Sequence, residues 1–238
     1  MQSKTAYIIF FIVLLALAYF GITANTESFV GSLFAAFLSI VAVFFIEMEL
    51  RPHIVITPEE PVIVVSDGRK FLRVHVANQA LWWPLCLIMD RRPATQVRAW
   101  ITFLTDSNDP VFSPRRQMVG RWATTPEPVR PIMASTSAAG VPATVFMLDY
   151  SITRDVVDIP SGSDEILDIV MRDPKEQGCR GWHNRMIANS SPSPEDQFEL
   201  SKGRYRARIR VDVAGRSVIA VFRIVCDVAI NDFRLEVI

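Results

Sequence analysis

Arg204-Tyr205-Arg206-Ala207-Arg208-Ile209-Arg210-Val211-Asp212-Val213 alternates charged and apolar residues without a break. A period of two belongs to a β-strand, because successive side chains point to opposite faces of a sheet. One face of this strand therefore carries Arg204, Arg206, Arg208 and Arg210, and the other carries Tyr205, Ala207, Ile209 and Val211. The apolar set is the core set. Gly215 then marks a turn, and 217–228 reads as the returning strand. Working outward, 62–66 and 69–77 flank Asp67-Gly68, a hairpin signal because glycine accepts the positive φ that tight turns need. Val97, Ala99, Ile101 and Phe103 alternate with Arg98, Trp100, Thr102 and Leu104 in the same manner. Further strands are expected at 53–57, 119–123, 143–148, 156–159, 166–171 and 233–237. Turns fall at 107–110, 126–131 and 160–162, and only 194–200 offers a turn or two of helix. Many short strands broken by Pro and Gly indicate an antiparallel β-sandwich, with a small β-barrel as the alternative.

Two uncharged apolar runs, 6–24 and 29–46, precede this domain and are separated by Asn25-Thr26-Glu27-Ser28. At about 1.5 Å per residue each run matches the roughly 30 Å hydrocarbon core of a bilayer. The expected layout is a two-helix transmembrane anchor over 1–50 followed by a β-domain over 51–238. Lys4 before the first run and Arg51, Arg69 and Lys70 after the second place both termini on the cytoplasmic side. The competing reading, cleavage after Ala16-Leu17-Ala18, fits less well because the apolar run continues through Ile22. Gly31, Ala35 and Ser39 recur on one helix face and suit close helix packing, within the hairpin or between copies. No ionisable residue lies inside either run, which argues against a proton relay.

Outside residues 1–50 the chain carries 24 basic and 22 acidic residues, so no overall charge draws it to nucleic acid. Three cysteines, Cys86, Cys179 and Cys226, make no disulfide framework and fit a reducing compartment. Catalytic motifs are missing: no GxSxG elbow, no phosphate-binding glycine loop, no HExxH and no paired CxxC. Cys179-x3-His183 supplies two metal ligands where a structural zinc site wants four, so neither metal nor cofactor is expected. Asp164, Glu165 and Asp168 read as a solvated strand edge.

Two patterns carry the functional expectation. Aligned arginines repel unless carboxylates or an anion intervene, so Arg204, Arg206, Arg208 and Arg210 mark either a charge-paired sheet face or a site for lipid headgroups or a small anion. Leu81-Trp82-Trp83-Pro84-Leu85-Cys86-Leu87-Ile88-Met89, followed by Asp90-Arg91-Arg92, is too short to span a bilayer and too proline-broken for a central strand. Trp82, Trp83, Arg91 and Arg92 suit a membrane interface or a protein partner, while a buried loop capping the sandwich is the plainer reading. The Ser-, Pro- and Asn-rich stretch 174–196 reads as a long, loosely docked loop.

Leu200-Ser201-Lys202-Gly203-Arg204-Tyr205, leading into a strand, resembles the tyrosine corner of immunoglobulin-like sandwiches, across roughly 52–238. That resemblance implies a phenol at Tyr205 bonded to the preceding turn. Together with Gly120-Arg121-Trp122 and Trp182-His183-Asn184, the hairpin-plus-sandwich layout also resembles prokaryotic membrane proteins of uncharacterised function. It is similar in layout to bacterial anti-phage effectors that join two membrane helices to a β-barrel sensing cyclic nucleotides. The expectation is a non-enzymatic interaction module at the cytoplasmic membrane surface. The alternative is a ligand-gated effector in which an anionic small molecule assembles the hairpins. The partners implied are the bilayer, a protein partner or a second copy, and a small anion, with no nucleic acid.

Overall fold

The computed structural model describes residues 29–63, 68–83, 85–113, 116–126, 129–135, 142–185, 198–227 and 229–238. Contacts divide the chain into Met1–Arg51 and Pro52–Ile238. In the first unit the described element is helix α1, Phe29–Glu49.

The second unit is two antiparallel sheets with a separate two-stranded ribbon. Its strands are β1 Ile54–Pro58, β2 Val62–Ile63, β3 Lys70–Asn78, β4 Ala94–Thr105, β5 Met118–Val119, β6 Arg121–Trp122, β7 Val129–Ser135 and β8 Pro142–Leu148. They continue with β9 Val156–Ile159, β10 Asp164–Arg172, β11 Cys179–Gly181, β12 Glu199–Leu200, β13 Arg204–Val213, β14 Arg216–Val225 and β15 Arg234–Val237. The first sheet runs β1-β3-β10-β11-β12, with β2 on β3 and β6 on β10. The second runs β15-β14-β13-β4-β5, with β9 on β4. β7 pairs with β8 alone.

Strand periodicity fills the space between the sheets. Leu72, Val74 and Val76 of β3 and Leu167, Ile169 and Val170 of β10 face Val97, Ala99, Ile101 and Phe103 of β4 and Ala207, Ile209 and Val211 of β13, in one cluster. Trp122, Phe103 and Phe233 are the largest side chains fully buried there. Gly120 marks one close approach: a Cβ at that position would lie 2.7 Å from Leu167 Cδ1 and 3.1 Å from the Ala99 Cβ. The β13–β14 hairpin closes on Ala214 and Gly215, both at positive φ (47° and 75°), between the paired Val213 and Arg216. That is the geometry of a primed two-residue turn.

Three expectations are corrected. The two-helix membrane hairpin is not what the described residues form. They contain one helix, and among them no helix is long and apolar enough to cross a membrane. Phe37, Ile40, Val43 and Phe44 are exposed along α1. The first run, 6–24, and the link, 25–28, lie outside the described residues. The two-span, multi-pass location with cytoplasmic termini falls with the hairpin, and so does ligand-driven assembly of hairpins. Apolar length and flanking charge are properties of the segment alone and do not decide whether a spanning helix forms.

The second correction concerns 174–196. Residues 179–181 form β11, hydrogen-bonded between β10 and β12, and Trp182, His183 and Asn184 are buried. Three residues are too short for periodicity to reveal a strand; the sheet supplies the partners that make one. The third concerns 126–131, read as a turn, where β7 begins at Val129 and pairs with β8 despite Pro131.

Candidate functional site

The outward face of the second sheet gathers the arginine stripe. On β13 the four guanidiniums alternate with buried Ala207, Ile209 and Val211, as the period of two requires. Register places Leu104, Thr102 and Trp100 of β4 opposite Arg206, Arg208 and Arg210, with Arg223 of β14 across from Arg206.

Three of the four arginines meet carboxylates. The Nε of Arg204 donates to Asp227 Oδ2 at 2.9 Å, and the Nε of Arg210 lies 3.3 Å from Asp212 Oδ1. The Nη1 of Arg206 donates to Asn108 Oδ1 at 2.7 Å, and its Nε lies 3.8 Å from Asp106 Oδ1. Asp106 is shared with Arg223 at 3.5 Å, and Arg223 also reaches Glu236 at 3.8 Å. Arg208 is the exception. It is exposed, and among the described residues it has neither a hydrogen bond nor an ion pair.

Beside Arg208 the surface sinks into an open depression of about 260 Å³ lined by Trp100, Thr102, Leu104, Pro110, Gln117, Arg208 and Arg210. Trp100 organises its wall: the guanidiniums of Arg98 and Arg210 sit 5.7 and 5.8 Å from its ring centroid. Such cation–π contacts hold a cation in place without neutralising it. The depression thus presents one unpaired guanidinium, a second that is ring-braced and half-paired, a hydroxyl and an amide. Trp100 and Gln117 did not figure among the expected site residues. The alternation of Trp100 with Arg98 and Thr102 was legible, but its register against β13 was not.

The apolar loop divides between burial and exposure. Leu81 is buried and Trp82 half-buried, with its indole N–H enclosed and without a partner among the described residues. Trp83, Leu87 and Ile88 are each more than 70% exposed, and Cys86 is exposed too, around a single 3-10 turn, Leu85–Leu87. A wholly buried cap is therefore not what forms. Arg91 and Arg92 carry contacts of their own, and the Arg92 carbonyl accepts from Asn78 Nδ2 at 3.1 Å. That amide also bonds the Ile159 carbonyl, and Asn78 Oδ1 accepts the His53 N–H, so the loop is rooted where β1, β3 and β9 meet. Of Gly31, Ala35 and Ser39, all lie on α1, and the side chain described is that of Ser39.

The outward face of the first sheet holds a second charged cluster, centred on Asp168. Asp168 lies in register with Arg73 of β3 on one side and Arg121 of β6 on the other. Arg73 Nε donates to Asp168 Oδ1 at 2.6 Å. Burial pushes the Asp168 carboxyl up, while Arg73 and Arg121 pull it back. His75 Nδ1 meets Asp164 Oδ2 at 2.5 Å, and Thr124 donates to Glu165. The expected solvated acidic edge is thus half right: Asp164 is exposed, but Asp168 is buried between two arginines.

The Gly120-Arg121-Trp122 and Trp182-His183-Asn184 segments meet here. The Arg121 guanidinium lies 5.9 Å from the Trp182 ring centroid, which in turn packs edge-on against Phe71 at 5.4 Å. Residues Arg154 and Asp155 clamp both segments. Asn184 Nδ2 donates to the Arg154 carbonyl and to Asp155 Oδ1, and the Trp122 indole donates to the Asp155 carbonyl. His183 stacks edge-on against Phe198, while Cys179 turns into the core. Among the described residues no group of three His, Cys, Asp or Glu side chains is placed to hold a metal ion.

No family model matches this chain. No curated protein matches it. Among solved structures it is similar to a family 123 glycoside hydrolase from Clostridium perfringens, described for glycolipid glycan hydrolysis, at 10% identity and a TM-score of 0.27. That match covers 66% of this chain and 20% of the hydrolase chain, so this chain spans about a fifth of its length. A likeness at that score says nothing of activity. The tyrosine corner is matched in part: the Tyr205 ring lies against Gly203, within 3.4 Å of where a Cβ would sit, and among the described residues its phenol bonds no backbone of that turn.

Proposed function

We propose that this β-sandwich is a non-enzymatic binding module that recognises a phosphate- or sulfate-bearing anion on the outward face of its second sheet, between Arg208 and Arg210. The observation that carries the reading is the unmatched charge of Arg208 in a row whose other members are compensated. Same-face neighbours on a strand stand about 7 Å apart, so Arg208 feels Arg206 and Arg210 as like charges that an anion relieves. Arginine suits a tetrahedral oxyanion because its planar fork gives two parallel donors. Thr102 and Gln117 supply further donors at the rim, and the Trp100 ring braces the Arg210 guanidinium.

The test is a titration of the full chain with inorganic pyrophosphate and, separately, sulfate at low salt, read by NMR at the Trp100 indole and arginine Nε–H signals. Saturable shifts at these groups are expected, weakened by salt through screening and lost in Arg208→Glu. Arg208 is exposed, so that substitution should leave unfolding free energy within about 0.5 kcal/mol of the parent. Unchanged spectra at millimolar anion, or binding that survives Arg208→Glu, would overturn the reading.

A further inference from the structure

Two thiols from opposite sheets meet inside the core. Cys179 projects inward from β11 of the first sheet, and Cys226 follows β14 of the second; both are buried, both are free, and both belong to the central apolar cluster. The two thiols are close enough for each to act on the other's ionisation. Their backbones are pinned to the two ends of one short turn. Cys179 pairs with Leu200, and the Cys226 N–H donates to the Gly203 carbonyl at 3.0 Å. A third, cationic neighbour, the buried Arg172, bears on both sulfurs.

We infer that Cys179 and Cys226 are an oxidation site, a dithiol that closes to an inter-sheet disulfide when the protein meets a hydroperoxide. The thiols differ in a way that assigns their roles. The Cys179 S–H donates to Cys226, which lowers the Cys226 thiol from its ordinary value and raises Cys179; Arg172 favours the thiolate form of both. Cys226 is then the attacking sulfur, because the thiolate is the nucleophile. Its sulfur displaces across the peroxide O–O bond, the released hydroxide takes up a proton to leave as water, and Cys226 becomes a sulfenic acid. The Cys179 sulfur attacks that sulfur, the S–S bond forms as S–O breaks, and the Cys179 proton leaves with hydroxide as a second water. Two thiols and one peroxide give one disulfide and two waters, the peroxide taking the two electrons. The cross-link joins the two sheets of the sandwich. Because the pair is sealed from solvent, closure needs a local opening at this end of the sandwich and runs more slowly than oxidation of exposed Cys86.

The test uses the full chain carrying Cys86→Ser, treated with hydrogen peroxide at the dose that fully oxidises Cys86 in the parent and followed over times well beyond that oxidation. Free thiols are then alkylated under denaturing conditions, and the chain is digested with trypsin without reductant. The expected product is the peptide 176–180 joined to 224–234, with an intact mass lower by two hydrogens, both reversed by dithiothreitol. Recovery of both cysteines as alkylated thiols would overturn the inference. So would sulfinic acid at Cys226 with Cys179 still reduced, since the second sulfur would then not be in reach. Both positions keep their native residue in this experiment, so a folding defect cannot mimic either result.

Discussion

The two outward faces of this sandwich are built from the same material and treat it differently. On the first sheet, charges sit in matched, enclosed sets: Asp168 between Arg73 and Arg121, with Trp182 and Phe71 packed beside them. On the second, charges sit in an open row with carboxylates at the margins and Arg208 left over. A buried charge must be compensated because the interior cannot solvate it, whereas an exposed one is tolerated by water. Compensation therefore marks structure and its absence marks availability, and the difference between the faces is why the second is the one proposed above to bind an anion.

The largest expected effect lies on the matched face. Asp168→Ala leaves Arg73 and Arg121 facing each other across an emptied, enclosed position, and should cost about 3–5 kcal/mol in urea unfolding; a loss under about 1 kcal/mol would mean the cluster is not closed. Acidification probes the same group. Burial is the larger influence and raises the folded Asp168 above its unfolded value, so the folded state holds the proton more tightly. The contribution of this group to stability therefore falls as pH rises from the unfolded value through the folded one, and it is greatest below both. Asp168→Asn should flatten that slope on the alkaline side of the unfolded carboxyl's value of about 4, measured as the denaturation midpoint against pH.

Next in size is the approach of the sheets that both faces depend on. Gly120→Ala puts a methyl into Leu167 and Ala99 and should cost about 1–3 kcal/mol by thermal or chemical unfolding. A neutral result would show that Leu167 and Ala99 can give way to the methyl without loss of packing. The smallest effect is stabilising. Ala214 holds φ 47° in a turn that suits asparagine or glycine, so Ala214→Asn should add about 0.5–1 kcal/mol while leaving anion binding by Arg208 untouched. If binding changes as well, the arginine face depends on hairpin geometry and is less a property of Arg208 than argued above.

Several parts of this fold were legible at the level of single strands. The alternation in 204–213 gave the strand, its core face and its arginine face, and the structure buries Ala207, Ile209 and Val211 accordingly. The strands at 54–58 and 156–159 likewise followed from β-branched composition and flanking turns. The apolar runs at the start were read from length and flanking charge; the second run forms α1, the first lies outside the described residues, and among those residues no helix is long and apolar enough to cross a membrane. β11 and β12 escaped because two or three residues carry no period, and Asp168 escaped because its partners come from β3 and β6, far away in the chain.

The sequence by itself determined the antiparallel β character of 52–238, the inward and outward sets of its long strands, and the presence of four arginines on one face. Those follow from a period-two pattern, which is local. Only the tertiary structure decided which arginine lacks a carboxylate, that Trp100 stands across from Arg210, that Arg121 comes to rest on Trp182, and that Cys179 meets Cys226. Each of these depends on register between strands distant in sequence, and register is set by how whole faces pack, a property no single segment contains.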